Sequence, residues 1–288
     1  MAITASQVKE LRDKTGSGMM DCKKALVESD GDLEKAIEIL RKKGASVAAK
    51  RADRHANEGV VLTKVIDGKT GVIVEVNCET DFVGNSNDFV NFSNFILDTV
   101  VANKPSNIDE LVASELDGKN VATELTNIVG KIGEKIEVSR FFIETTENAT
   151  YVDYIHAGSK LGVLLRVEST EGVESEKINL TFKDIAMQAA AMKPLYLASD
   201  EVSAEVIDKE KDIYKEVLRK EGKPEQILDK IADGKINKFF KEVCLLEQVY
   251  VKDNSKAVKD VIADFNKENS SDVKLTAFYR YHVLDEKK

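Results

Sequence analysis

The chain has 288 residues, of which 42% are hydrophobic and 32% charged, and its formal net charge is -9. No apolar run approaches the roughly 18 residues of a membrane helix, so we expect no membrane span and no membrane partner. The acidic balance argues against direct binding to nucleic acid, because contacts with the phosphate backbone need clustered lysine and arginine.

The cysteines and the first residues indicate the compartment. Cys22, Cys78 and Cys244 are odd in number, far apart and without C-x-x-C spacing. This pattern predicts a reducing compartment, with neither a zinc site nor a disulfide framework. Residues 1–7 show no basic leader followed by an apolar block, so we expect no secretory signal. We therefore predict a cytoplasmic protein.

Residues 4–44 predict three short helices. A capping box at residues 4–7 opens the first helix, and Asp30-Gly31-Asp32 opens the third. Calcium binding by these aspartates is the weaker interpretation, because the rest of an EF-hand loop is missing. We expect Gly44 to stop the third helix and residues 45–57 to form a linker.

The stretch from Lys42 to Arg54 is basic and leaves two interpretations open. It is suited to contact RNA or an acidic protein. A solvated helix end followed by a linker is favoured, because cations stabilise helix C-termini.

Two similar units follow the bundle. In each, two strand-like runs flank a short turn and precede a helix with apolar residues at helical spacing. The units start roughly 90 residues apart, and both helices end before a Lys-Pro pair, which indicates duplication. We predict an α+β fold with small antiparallel sheets. The strands are predicted at residues 60–65, 71–78, 151–156 and 161–168, and the helices at residues 89–101 and 185–192.

The last third of the chain predicts a different architecture. Residues 203–247 carry two narrow apolar seams separated by Gly222-Lys223-Pro224, which indicates a projecting antiparallel helical hairpin. A helix over 257–265 and an alternating strand over 273–283 follow. The predicted domains are residues 1–54 (the bundle and linker), 55–145 (core subdomain N) and 146–288 (core subdomain C, with the hairpin).

A carboxylate and an aromatic ring lie side by side where the first hairpin leaves its sheet, at Asp81 and Phe82. Such a pair can act as a wedge, with the ring entering an apolar slot and the acid meeting a neighbouring charge. Local sequence favours the plainer interpretation, in which Phe82 is a core residue and Asp81 caps the next turn.

No motif for catalysis is found in the sequence. There is no Walker loop, dinucleotide fingerprint or H-E-x-x-H pattern, and the three histidines are scattered. No carboxylate pair has a context that suggests acid–base chemistry. We predict a protein that acts by binding rather than an enzyme, without a cofactor or a metal of its own.

Two long motifs resemble the signatures of the elongation factor Ts family. The first runs from Leu11 to Leu26, and the second is Glu75-Val76-Asn77-Cys78-Glu79-Thr80-Asp81-Phe82-Val83. Their order and separation match the family, as do the duplicated core and the helical hairpin. The resemblance covers nearly the whole chain.

The resemblance implies a guanine-nucleotide exchange factor for the GTPase elongation factor Tu. Such a factor must bind the nucleotide-free GTPase better than the GDP-bound form. Thr80, Asp81, Phe82 and Val83 would approach the partner's Mg²⁺ site, with Phe82 as the wedge and Asp81 disturbing the groups that support Mg²⁺. Losing Mg²⁺ leaves the diphosphate charge uncompensated, so GDP departs.

The same resemblance implies further contacts with the partner. The bundle would grip a partner helix, and we expect one of its two methionines to be exposed and the other buried. His156 would contact another partner domain; the competing interpretation is a strand-end residue with local hydrogen bonds. The residues assigned to partner binding are Leu11, Arg12, Met19, Met20 and His156.

Departures and alternatives accompany the resemblance. Gly84 stands where the family usually has Ala or Ser, and we expect no contact from the further C-terminal helix that some members carry. The complex is predicted as a heterodimer or a dimer of heterodimers.

Residues 4–44 alone resemble ubiquitin-associated bundles, so the alternative function is a non-catalytic adaptor or chaperone.

Overall fold

Three helices form the N-terminal bundle in the computed structural model, which describes residues 3–285. The outer ends of the first and last predicted domains, residues 1–2 and 286–288, lie outside this range. The predicted capping box is confirmed, because Thr4 and Gln7 exchange hydrogen bonds. The helices are α1 (Ala5–Thr15), α2 (Met19–Glu28) and α3 (Leu33–Arg51).

The third helix is longer than predicted. Gly44 does not stop α3 but lies buried inside it, and the helix takes up the first half of the predicted linker. A Cβ atom at Gly44 would lie 2.8 Å from the carbonyl oxygen of Thr126, so the glycine permits close packing against a neighbouring helix. The interpretation of Asp32 as a helix cap is confirmed, since its carboxylate accepts from the backbone of Glu34 and Lys35.

The first unit has a three-stranded antiparallel sheet in the order β1-β2-β5. Its predicted hairpin is confirmed, but the third strand, β5, is not predicted. Apolar residues on one face of the sheet pack against α5 and α7 to form a core. The elements are β1 (Glu58–Ile66), β2 (Thr70–Cys78), α4 (Asp81–Gly84), α5 (Asn87–Asn103), α6 (Ile108–Ala113), β3 (Glu115–Leu116), β4 (Lys119–Asn120), α7 (Val121–Ile132) and β5 (Ile136–Thr145).

The second unit repeats this plan with a sheet in the order β10-β7-β6. Its core lies between that sheet and the helices α8 and α11. The predicted helical hairpin is confirmed as α9 and α10, which salt bridges such as Lys211–Asp233 connect at 2.8 Å. The elements are β6 (Ala149–Ile155), β7 (Leu161–Glu168), α8 (Ser175–Met192), α9 (Ala204–Lys220), α10 (Glu225–Val243), β8 (Val249–Tyr250), β9 (Asp253–Ala257), α11 (Val258–Asn269) and β10 (Lys274–His282).

The two sheets pack face to face. Val61 and Ile73 of the first sheet meet Tyr151 and Leu164 of the second in a shared apolar cluster. A Cβ atom at Gly71 would lie 2.4 Å from the Tyr151 ring, so the sheets approach closely there. The layers therefore run helix, sheet, sheet, helix. Among the residues that the structure describes, no helix is long and apolar enough to cross a membrane.

Candidate functional site

The segment at residues 80–83, called the tip below, follows the buried strand β2. Thr80 caps the one-turn helix α4, and Val83 packs partly into the first core. Phe82 is 85% exposed and Asp81 is also exposed. The interpretation of Phe82 as a core residue is therefore wrong, and the cap is Thr80 rather than Asp81. The chain presents an aromatic ring to solvent on the first turn of a capped helix.

Glu134 fastens the tip from the turn between α7 and β5. The Thr80 hydroxyl donates to one carboxylate oxygen of Glu134 at 2.7 Å, and the Thr80 backbone N–H donates to the other at 3.0 Å. The backbone of Val83 in turn donates to the Thr80 hydroxyl at 3.4 Å. One carboxylate thus fixes both the backbone and the side chain of the residue that opens α4.

Glu79, just before the tip, connects three parts of the fold. Its carboxylate accepts from Arg51 at 2.7 Å, from Arg54 at 2.9 Å and from the Lys135 backbone N–H at 2.6 Å. Burial opposes the ionised carboxylate, but these donors outweigh burial and lower the Glu79 pKa to about 2. Because Arg51 ends α3, this carboxylate ties the N-terminal bundle to the base of the tip.

Cys78 lies under the same turn as an unreactive thiol. It is fully buried, and its sulfur donates to the Thr80 carbonyl at 3.2 Å. Burial, with the nearby charges of Glu134 and Glu58, raises the Cys78 pKa to about 12. The thiol therefore stays protonated and supports the backbone of the tip.

The turn that contains His156 is fastened to the first sheet near the tip. His156 is exposed, and its Nδ1 lies 2.8 Å from the Tyr154 hydroxyl. The Val61 backbone N–H donates to the Ser159 carbonyl at 2.6 Å, and Lys160 pairs with Glu58 at 2.6 Å. The hydrogen bond with Glu58 raises the Lys160 pKa, and the charge of Asp81 adds to the shift. The turn that contains His156 therefore lies close enough to the tip for the charge of Asp81 to act on Lys160.

The bundle presents both methionines to solvent. Met19 is 59% exposed and Met20 is 63% exposed, so the expectation that one of them is buried is wrong. The bundle core takes Cys22, Ala25 and Leu26 from α2 instead. Val27, on the same helix, is also exposed.

Leu11 and Arg12 have different environments. Leu11 is fully buried in the bundle core, so its assignment to a partner contact is corrected to a supporting role inside the bundle. Arg12, in the last turn of α1, is exposed.

The similarity of this chain to known proteins extends over both the site and the fold. A family model described as elongation factor TS matches residues 79–284. The chain is 46% identical over 286 residues to elongation factor Ts of Chlorobaculum parvum, and 45% identical over 286 residues to that of Chloroherpeton thalassium, covering 98% of both chains in each case. Against elongation factor Ts of Clostridium perfringens it is 46% identical over 283 residues, covering 97% of this chain and 92% of the relative.

The chain belongs to the elongation factor Ts family. The matched range begins at Glu79 and contains the tip, Glu134 and His156. Met19 and Met20 precede that range but fall within the nearly full-length similarity to the named relatives. The family assignment from the two sequence motifs is therefore confirmed.

The residues that fasten the tip are not predicted from the sequence of this chain. Glu134 lies 54 residues beyond Thr80, and its contact depends on how the turn after α7 meets the end of β2. Arg51 and Arg54 stand out as basic residues, but no pattern in the sequence indicates that they share the carboxylate of Glu79. One local signal is present: the second signature places polar residues directly after a buried strand.

Proposed function

We propose that this chain is a guanine-nucleotide exchange factor for elongation factor Tu. It acts by binding the GTPase, needs no cofactor and no contact with nucleic acid, and works in the cytoplasm. Family membership supports the choice of partner. The exchange requires that the chain bind the nucleotide-free GTPase more tightly than the GDP-bound form, since only a differential affinity shifts the equilibrium.

The exposed ring of Phe82 on a fastened turn is the observation that carries the proposal. An aromatic side chain in water gains free energy when a partner buries it. Because Thr80 is already held by Glu134, little conformational freedom remains to be lost when the tip binds. The tip is therefore built as a preorganised wedge.

Asp81 and Phe82 divide the work at the tip. Phe82 enters between partner side chains, while Asp81 brings a negative charge toward the groups that support the partner's Mg²⁺. When Mg²⁺ leaves, the diphosphate of GDP loses its charge compensation and dissociates faster. Thr80 and Val83 keep the two side chains in place, the first as helix cap and the second by packing on the core.

Contacts outside the tip supply affinity. Met19 and Met20 offer a flexible apolar surface for a partner helix, with Arg12 on the adjoining helix. His156 provides a separate contact from the second sheet. Because the bundle and the His156 turn supply affinity, the contacts of the tip are available to displace the nucleotide.

Phe82→Ala tests the wedge. We expect release of labelled GDP from elongation factor Tu to slow by about 30-fold or more, the effect of losing a central aromatic contact. The free energy of unfolding should change by less than about 0.5 kcal/mol, because the ring is exposed. Leu180→Ala, at another exposed apolar residue, is the matched control. Unchanged release in Phe82→Ala would refute the wedge.

The exposed methionines also favour a second candidate, an adaptor or chaperone that acts through the bundle alone. A pull-down with elongation factor Tu followed by nucleotide analysis separates the two functions. The adaptor retains GDP-bound partner without speeding release, and Met19→Ala with Met20→Ala abolishes capture. The exchange factor retains nucleotide-free partner, and the same double variant weakens binding while the bound tip still releases GDP.

A further inference from the structure

Two polar side chains of the second signature are buried where no partner can reach them. Glu75 and Asn77 are both fully buried, on the face of β2 that meets the second sheet. They precede the tip in the same motif, yet the proposed wedge does not use them. Buried polar groups are costly unless they are paired, so their presence here needs a physical reason.

Both residues find partners on β5 at an irregularity in the sheet. One Glu75 oxygen accepts from Arg140 Nε at 2.8 Å, and the Asn77 side-chain oxygen accepts from Ser139 at 2.5 Å. Glu75 faces Arg140 and Val76 faces Val138, so Ser139 is an extra residue in the ladder. Among residues 3–285, the other Glu75 oxygen and the Asn77 amide nitrogen have no hydrogen-bond partner.

Arg140 carries this network across to the second sheet. Its Nη2 donates to the His282 carbonyl at 3.4 Å, and its guanidinium carbon lies 4.2 Å from the centre of the Tyr281 ring. Both residues belong to β10. One side chain therefore contacts a buried carboxylate in the first sheet and an edge strand of the second.

Other polar contacts join the sheets at separate places. Thr63 of β1 donates to Asp153 of β6 at 2.5 Å. Arg166 of β7 pairs with Glu144 of β5 at 3.2 Å. Apolar contacts between the sheets have no preferred direction, whereas hydrogen bonds and ion pairs do. Polar contacts at several separate points select one relative orientation of the two sheets.

We propose that Glu75 and Arg140 are a positioning pair, which holds the two sheets in the one orientation that lets the tip and the His156 turn contact the partner together. A buried ion pair contributes little net stability compared with apolar residues of similar size. Its value lies in geometry. This inference rests on the proposed exchange function for its kinetic consequence but not for its structural one.

Arg140→Lys is the main test. Lysine keeps a positive charge beside Glu75 but lacks the planar fork that also reaches β10. We expect the melting temperature to stay within a few degrees, while KM for elongation factor Tu in GDP release rises about tenfold and kcat changes less than twofold. KM should change without kcat because the tip, which releases the nucleotide, is unaltered. The control replaces an exposed pair, with Lys256→Gln and Asp264→Asn, and should alter neither constant.

A distance measurement tests the orientation without the partner. Spin labels are placed on cysteines introduced at Asn94 of α5 and Lys183 of α8, which are exposed on the outer helices of the two units. The native cysteines are buried, and their pKa values are raised, so they resist labelling. We expect a narrow distance distribution in the parent chain and a broader or shifted one with Arg140→Lys.

The outcomes separate this inference from the proposed function. If the parent chain releases no GDP, exchange fails, and the distance distribution still decides the positioning role. An unchanged distribution together with an unchanged KM would overturn the positioning pair. If Arg140→Lys loses its fold, Glu75→Met with Arg140→Met provides the same test, because an apolar pair of similar volume preserves stability while removing the directional contact. A fully stable apolar variant with parent KM and distances would also overturn it.

Discussion

The two units of the core leave their sheets in different ways. In the first unit, residues 79–86 link β2 to α5 through a capped turn that shows Phe82 to solvent. In the second unit, residues 169–174 link β7 to α8 with two left-handed residues, Ser169 and Gly172, and no large apolar side chain exposed. The helices that follow end alike, on Lys104 and Lys193 in the left-handed conformation.

The difference lies in how the loops are fastened. The loop of the second unit is joined to its sheet by the side-chain pair of Thr150 and Thr170 at 2.9 Å, and its Glu174 pairs at 3.2 Å with Lys177 of the helix that follows. The loop of the first unit is held by two carboxylates, Glu79 and Glu134, which between them bind three segments of the chain. An exposed apolar ring on a turn whose backbone is held in place marks a contact surface better than exposure alone.

Among the substitutions that compare the two loops, Glu134→Ala should have the largest effect, because it frees Thr80 at the start of the tip. Thr80 loses both acceptors, and hydrogen bonds to a charged group contribute about 1.5–3 kcal/mol. We expect GDP release to slow about tenfold and unfolding free energy to fall by about 1–2 kcal/mol, measured by nucleotide-release kinetics and urea titration.

Two controls sharpen that experiment. Glu134→Gln still accepts from the Thr80 backbone and can donate to its hydroxyl, so most of the exchange rate should remain. Thr170→Ala removes the corresponding contact in the second unit and should leave exchange unchanged. Normal exchange in Glu134→Ala would show that fastening the tip is irrelevant.

Glu79→Gln should have an intermediate effect that depends on pH. The folded Glu79 pKa of about 2 is below its ordinary value of about 4.3, so the ionised carboxylate stabilises the fold. This stability is fully present above about pH 4.5 and is lost as the pH falls toward 2. We expect the free energy of unfolding, measured with urea, to be about 1–2 kcal/mol higher for the parent chain than for Glu79→Gln at pH 7. This difference should shrink below pH 4.5.

The exposed loop residue Glu171 supplies the comparison in the second unit. Glu171→Gln should change the unfolding free energy by less than about 0.5 kcal/mol at neutral pH. A gap for Glu79→Gln that stays constant from pH 7 to pH 3 would contradict the ion-pair account.

Gly84→Ala should have the smallest effect and the opposite sign. Gly84 is helical and buried, and an added Cβ would lie 3.6 Å from the Cys78 sulfur, an ordinary contact. We expect unfolding free energy to rise by about 0.4–1 kcal/mol, because alanine restricts the unfolded chain. Gly172→Ala should instead destabilise, since its φ is +80°. Destabilisation by Gly84→Ala would show that the site is tighter than its geometry indicates.

Much of the fold follows from local patterns, and the exceptions have physical causes. The hairpins, the capping box and the long helices carry periodicities that the chain shows directly. The strand β5 is missed because its bulge breaks alternation: Ile136 and Val138 face the helices, and after the extra residue so do Phe141 and Ile143. The glycine within α3 is misjudged because its tight packing partner, Thr126, is distant in sequence.

Local sequence patterns likewise predict only part of the functional site. The tip residues are predicted from the signature that contains them, but local preference misplaces Phe82 in the core. Burial depends on whether the rest of the fold covers a side chain, and nothing among residues 3–285 covers this one. Glu134 and Arg140 are missed because their roles arise only when distant segments meet.

The exposure of Phe82 also suits the tip to optical measurement. The sequence contains no tryptophan, so Phe82→Trp would place one indole in the chain, in contact with water. Its emission would be that of a hydrated indole in the free chain, and it would move to shorter wavelength when the ring enters an apolar slot. The tip can thus report its own insertion in real time.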